Sequence, residues 1–185
     1  MRDELLLKEH PIMKSKVRIL RPDEYLEIRN GVKREKQILM DCLLLSGMRY
    51  EEFLKLRENQ DWFDGRFIHL PQWAERKVKR RQLERWIRLS IMGRSIIPQL
   101  FDIKVPKRDA FDKWLQYNFR LIEGLSAKTF RKTYESWLVF SYSEKLFDIL
   151  LSQGHNATTG LRHYVNLPFL DRDKIGMKEF VEGWV

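Results

Sequence analysis

Apolar and polar positions alternate with two different periods along this chain, and the switch between them divides it. The segment "RPDEYLEIRNG" (21 to 31) has proline near a helix start, acids in the first turn and glycine as the stop, which predicts a short first helix. In "KREKQILMDCLLLSGM" (33 to 48) the apolar face is broad enough for a buried central helix. "YEEFLKLRE" resumes the helical pattern after a break at Ser46 and Gly47, with Arg49 at that break. From Asn59 the period shortens: "DWFDGRFIHLP" places aromatic and β-branched residues around the turn signal Asp64-Gly65, and "QLERWIRLS" repeats the alternation. These stretches predict a small antiparallel sheet of about three strands, with "ERKVKRR" as the exposed tip joining the second and third. Helical spacing then returns, with Phe111, Trp114, Leu115, Asn118, Phe119 and Ile122 in one segment and Phe130, Tyr134, Trp137 and Leu138 in the next. Ser126 and Ser143 are the expected N-caps of that second segment and of "EKLFDILLSQG", which Gly154 ends. A short helix carrying Tyr164 and limited by Pro168, and an amphipathic helix over "DRDKIGMKEFVEGW", complete the pattern.

The predicted fold is therefore mainly α with one small three-stranded antiparallel β-sheet. It forms a single domain over residues 21 to 185, preceded by an N-terminal extension or linker remnant over 1 to 20. Aromatic residues make up 12% of the chain, with six Trp and eleven Phe, which excludes disorder as a description of the whole. No apolar run is long enough to cross a bilayer, since Asp41 interrupts "ILMDCLLLSGM", and "MRDELLLKEH" lacks a signal-peptide pattern, so a cytoplasmic location is expected. Cys42, the only cysteine, falls within the apolar helical pattern and reads as a buried thiol.

A net charge of +9 points to a polyanionic partner, and its distribution sharpens that reading. From Arg76 to Arg88 there are seven basic residues, Arg76, Lys77, Lys79, Arg80, Arg81, Arg85 and Arg88, against one acid, Glu84. Arg49, at a helix break, and Arg131, with Lys128 one helical turn before it, are further cations placed to meet phosphate oxygens, for which the guanidinium fork is suited. Taken singly, each has an ordinary reading as a helix-terminus or solvated-face residue, and His155 as a loop residue after a helix end. Their order changes the odds.

That order resembles the catalytic domain of the tyrosine recombinases, the phage-type integrases. "SGMRYEEFLKL" is similar to the family's "TGLRxxEllxL" segment, with Arg49 in the arginine place, and a basic hairpin follows. "KTFRKTYES" stands where the family has "HxLRHTxA", with Arg131 as the second arginine. "QGHNATTGLRHY" resembles "LGHxxxxxTxxY", with His155 and Tyr164 nine residues apart. Lys128 occupies the place of the family's usual His, as in the archaeal virus-type integrases. Thr158 and Thr159 fall too early in the last motif to take a role, and residues 1 to 20 are too few for the usual N-terminal DNA-binding domain. The chain is thus expected to be a catalytic fragment or a minimal member.

The resemblance implies double-stranded DNA as partner, self-association as a tetramer on it, and no cofactor, metal or membrane. It also implies a role in DNA integration or recombination, of the viral genome-integration kind, in the host cytoplasm or nucleoid. Tyr164 would attack a phosphodiester to give a 3′-phosphotyrosyl link, with Arg49, Arg131, Lys128 and His155 around the phosphate. A lysine of the hairpin, Lys79 or else Lys77, would act as acid. Arg76, Lys77, Arg80 and Arg81 would hold the DNA backbone. A type IB topoisomerase-like relaxing enzyme and a non-catalytic DNA-binding protein are the alternative readings.

Overall fold

The structure, a computed structural model, describes residues 10–72, 83–155 and 167–185. In chain order its elements are β1 (Ile12–Lys14), β2 (Val17–Ile19), α1 (Pro22–Asn30), α2 (Arg34–Ser46), α3 (Tyr50–Glu58), β3 (Phe67–Leu70) and β4 (Arg85–Arg88). Then come α4 (Ile91–Ile96), α5 (Arg108–Asn118), α6 (Ala127–Ser141), α7 (Leu146–Gln153) and α8 (Asp171–Val181), with short 3₁₀ turns at Gln60–Trp62, Ile97–Asp102 and Ser143–Lys145. Among the described residues the fold is mainly helical.

Helix α2 is the buried centre that its broad apolar face predicts, with every residue from Ile38 to Ser46 buried, Cys42 included. It packs on α6, whose apolar positions recur at helical spacing, and α8 and the end of β2 close over the same helix. An aromatic group locks these layers together. Tyr25 of α1 meets Phe130 and Trp137 of α6 and Phe180 of α8 edge-on, at centroid separations of 6.4, 6.0 and 5.7 Å. Asp41, the one acid in the apolar run, is matched in the core. Arg29 donates to its two oxygens at 2.7 and 2.8 Å, and the Tyr25 hydroxyl donates at 2.6 Å, so its burial leaves no charge without a partner.

The sheet departs from the expected three strands: among the described residues there are two separate two-stranded sheets, β1 with β2 and β3 with β4. The Asp64-Gly65 turn does form, and the Asp64 carboxylate accepts from the amides of Arg66 and Phe67 at 2.8 and 2.6 Å. The carboxylate draws the chain into a tight local turn, so the stretch before it contributes one bridge, Phe63 to Ile68, in place of a strand. The described part of the 1 to 20 segment is also built into the fold. Ile12, Ile19 and Leu20 are buried, the Leu20 amide donates to Thr133 Oγ1 at 3.0 Å, and the Trp137 indole donates to the Leu20 carbonyl at 2.9 Å. Ion pairs from Arg18 to Glu24 and from Arg21 to Asp173 tie this hairpin region to α1 and α8.

Of the two predicted caps, Ser126 starts α6, with Thr129 Oγ1 accepting from its amide at 3.0 Å. Ser143 instead opens a 3₁₀ turn, and α7 begins three residues later at Leu146.

Candidate active site

The last turn of α7 organises the site. A helix ends with carbonyls that lack helical partners, and its C-terminus carries partial negative charge, so cations gather there. Gly154 takes the left-handed conformation (φ 70°), its amide donates to Leu151 and the amide of His155 donates to Leu150, which is a Schellman closure. Three successive carbonyls that remain are each met by a different arginine. Arg85 Nε donates to Ser152 at 3.2 Å, Arg131 Nη2 to Gln153, and Arg49 Nη2 lies 3.5 Å from that of Gly154. Residues from α3's start, from β4 and from α6 thus converge on the point where the chain leaves α7 toward His155.

Three guanidinium groups this close need anions. Glu52 of α3, with its side chain 5% exposed, provides the first. Arg85 spans both its oxygens, at 3.1 and 2.7 Å, Arg49 Nη1 reaches Oε1 at 2.8 Å, and the Arg49 amide donates to Oε2 at 3.0 Å. Burial by itself would raise the Glu52 pKa. The hydrogen bonds and charge of Arg85, with Arg49 and Arg131, overcome that and bring it down to about 2. Arg49 shows the reverse pressure: burial first, then the like charge of Arg131, lower its pKa, against the pull of Glu52.

Glu135, one turn after Arg131 on α6, is the second anion. Its Oε1 lies 3.1 Å from Arg131 Nη2 and 2.8 Å from His155 Nε2, while that nitrogen is also 2.8 Å from Arg131 Nη2. One ring nitrogen cannot donate and accept at once, and the guanidinium only donates. With a proton on Nε2, His155 donates to Glu135; without it, His155 accepts from Arg131. The cluster therefore holds three arginines against two carboxylates, with a histidine whose proton position is coupled to both.

Arg49, Arg131 and His155, chosen from the sequence as separate spots, are brought together here. Lys128 is not. It sits one turn before Arg131 but is exposed, and among the described residues no hydrogen bond or ion pair links it to the cluster. Tyr164, Lys79, Lys77, Arg76, Arg80 and Arg81 lie outside the described residues. Arg85, Glu52, Glu135 and Gln153 were not singled out as site residues. Arg85, one of the seven basic residues between Arg76 and Arg88, lies on β4, where strand alternation places it and Ile87 inward and Trp86 outward. Trp86 stacks on its cross-strand partner His69, at 4.3 Å between centroids, and so braces the hairpin. Sequence alone carried a signal for Arg85: an arginine at the parity of a buried isoleucine requires a buried acid to meet it.

A side chain at position 154 would disturb this collar directly, because an ideal Cβ there lies 3.0 Å from Arg85 Nε on a left-handed backbone. Gly154→Ala is expected to cost about 1–2 kcal/mol, read as a lowered urea midpoint with an unchanged slope. An unchanged midpoint would mean that Arg85 gives way at no cost.

In comparisons with family models, curated proteins and solved structures, none matches this chain.

Proposed function

We propose that this protein cleaves and rejoins DNA strands through a 3′-phosphotyrosyl intermediate, as a recombinase or integrase of the tyrosine recombinase type. The observation that supports this reading best is the convergence of Arg49, Arg131 and His155. They come from distant parts of the chain, each was matched to a different recombinase motif, and they meet at one helix end, with Arg131 Nη2 2.8 Å from His155 Nε2. Chance agreement of motif order does not by itself require that meeting.

In this reading the scissile phosphate sits over Arg49 and Arg131, whose charges neutralise the nonbridging oxygens as charge develops in the transition state. Arg49 is the more open of the two, with its side chain 37% exposed, and would make first contact. Arg85 holds both oxygens of Glu52, so the charge of that carboxylate is met mainly from below. Arg131 Nη1 stays 3.9 Å from Glu52, is buried, and makes no hydrogen bond among the described residues, so it adds positive charge beneath the phosphate while the more exposed Arg49 makes the direct contact. His155 accepts the phenolic proton of Tyr164 or donates to the phosphate, according to which partner its Nε2 serves. A new bond forms between the Tyr164 oxygen and phosphorus, the bond to the 5′ oxygen breaks, and that oxygen takes a proton from Lys79 of the hairpin. Rejoining runs the same steps in reverse, with a 5′ hydroxyl as nucleophile.

A suicide substrate tests it: DNA duplexes of mixed sequence, nicked so that the 5′ fragment diffuses away, are incubated with the protein and resolved in SDS. A stable adduct is expected, with Tyr164 in the DNA-linked peptide on digestion and mass spectrometry. No adduct across the library, or a link to another residue, overturns the proposal.

A further inference from the structure

A second concentration of positive charge lies beside the arginine cluster, on the N-terminal half of α6 and the neighbouring β1–β2 hairpin. Lys132 follows Arg131, Lys128 precedes Lys132 by four residues on the same helix face, and Lys132 Nζ donates to the carbonyl of Lys14 on β1 at 3.1 Å. The hairpin is fastened there, because the Arg18 amide donates to the Gly124 carbonyl at 3.1 Å, and a Cβ on Gly124 would lie 3.0 Å from the carbonyl of Lys16. Lys132 is half-buried among these cations. Burial lowers its pKa most, Glu135 opposes that, and the like charges of Lys128 and Lys14 lower it further. Among the described residues, no carboxylate forms an ion pair with Lys14, Lys16, Lys128 or Lys132. The basic surface continues past Lys16 into an open cleft of about 410 Å³, also lined by Gln116, Arg120 and Ser126, with Glu123 as its acid.

The hairpin turn carries a second sign of what this surface is for. Ser15 and Lys16 both have positive φ, at 49° and 62°, as a two-residue turn of this hand requires, yet neither is the glycine or asparagine that takes such angles at low cost. Glycine at position 16 would relieve the backbone and remove a charge at the tip. A lysine kept against its own backbone preference fits a role for the charge.

We propose that Lys14, Lys16, Lys128 and Lys132 form a DNA phosphate-binding patch that holds the strand next to the scissile phosphate. The β1–β2 hairpin is then part of the DNA interface. This rests on the reading of the protein as a DNA strand-cleaving enzyme, and it extends the interface to a face that the basic hairpin run does not supply. It also gives Lys128 a role suited to its exposed position, as a backbone contact one turn from Arg131.

Binding of a duplex is measured by fluorescence anisotropy across salt concentrations for wild type, Lys14→Ala, Lys132→Gln, the double variant, and Lys16→Gly. Lys174→Ala on α8 serves as a control. The double variant is expected to bind at least ~10-fold more weakly near physiological salt, with the slope of log K against log[salt] shallower by about 1–2, while adduct formation at saturating DNA persists. Lys16→Gly should raise Tm and lower affinity about 3–10-fold, a combination that a purely structural turn residue does not give. If wild type binds with a steep slope and forms adduct, but these variants match it, the patch proposal fails and the enzyme reading stands. If wild type forms no adduct yet the variants still flatten the slope, the patch stands and the enzyme reading fails. Absence of salt-dependent DNA binding by wild type overturns both.

Discussion

Glu52→Gln lowers stability at pH 7 by about 3 kcal/mol, and this difference disappears in acid. The magnitude follows from the carboxylate's shift from its ordinary value of 4.5 to about 2, each unit being worth about 1.4 kcal/mol. The pKa is depressed in the folded state, so the stabilisation is fully present above about pH 4.5 and is lost as pH falls from there toward about 2. The amide keeps the shape and can still accept one hydrogen bond from Arg85. It cannot offset the repulsion among Arg49, Arg85 and Arg131, and removing one member of a buried ion network commonly costs about 3–5 kcal/mol. In a chain of this length that corresponds to a Tm lower by about 10 °C. Urea denaturation is the suitable measurement, because guanidinium salts would screen the effect. Curves for both proteins at pH 7, 4 and 2.5 should be well separated, closer, and separated by only about a quarter of the pH 7 difference. Equal midpoints at pH 7 would show that the three arginines do not depend on Glu52.

What the sequence made legible depended on how far apart the cooperating residues lie. Helices α1, α2, α3, α5, α6 and α8 follow from apolar spacing and from local marks such as Pro22, Gly47 and Ser126, because these signals act within one or two turns of chain. The β1–β2 hairpin was not visible. Its strands are three residues each, and its turn is Ser15-Lys16, which lacks the glycine or asparagine that announces such a turn. The hairpin is held by contacts with Gly124, Thr133 and Trp137, more than a hundred residues away, and no local pattern reports them. The same limit divides the site. Arg49, Arg131 and His155 carry motif signals, and Glu52 lies inside the motif of Arg49. Arg85 and Gln153 become site residues only through the end of α7, where one lends its guanidinium and the other its carbonyl. Their roles are tertiary, and strand parity gave the only early hint, for Arg85.

Arg131→Ala is expected to slow adduct formation about 10³-fold or more while leaving DNA affinity within a few-fold of wild type. The single guanidinium meets the Gln153 carbonyl, Glu135 and His155, so its loss removes both positive charge beneath the phosphate and the group that shares His155 with Glu135. Loss of one preorganised donor at a developing oxyanion typically costs 10²–10³ in rate, and the disturbed histidine adds to that. Arg131→Lys should recover little, since a point-charge ammonium on a different stem does not reproduce the guanidinium's fixed donor geometry toward three partners. Tyr164→Phe gives the contrast: binding is retained and adduct is absent on every substrate. The charge-neutralising role has its own test, a substrate whose scissile linkage is a methylphosphonate, in which one nonbridging oxygen is replaced by a methyl group. If Arg131 works by neutralising a nonbridging oxygen, Arg131→Ala regains much of its lost rate on this substrate, whereas Tyr164→Phe remains inactive. Should the neutral linkage leave Arg131→Ala as slow as before, Arg131 acts through the placement of His155 alone, and neutralisation of the phosphate passes to Arg49.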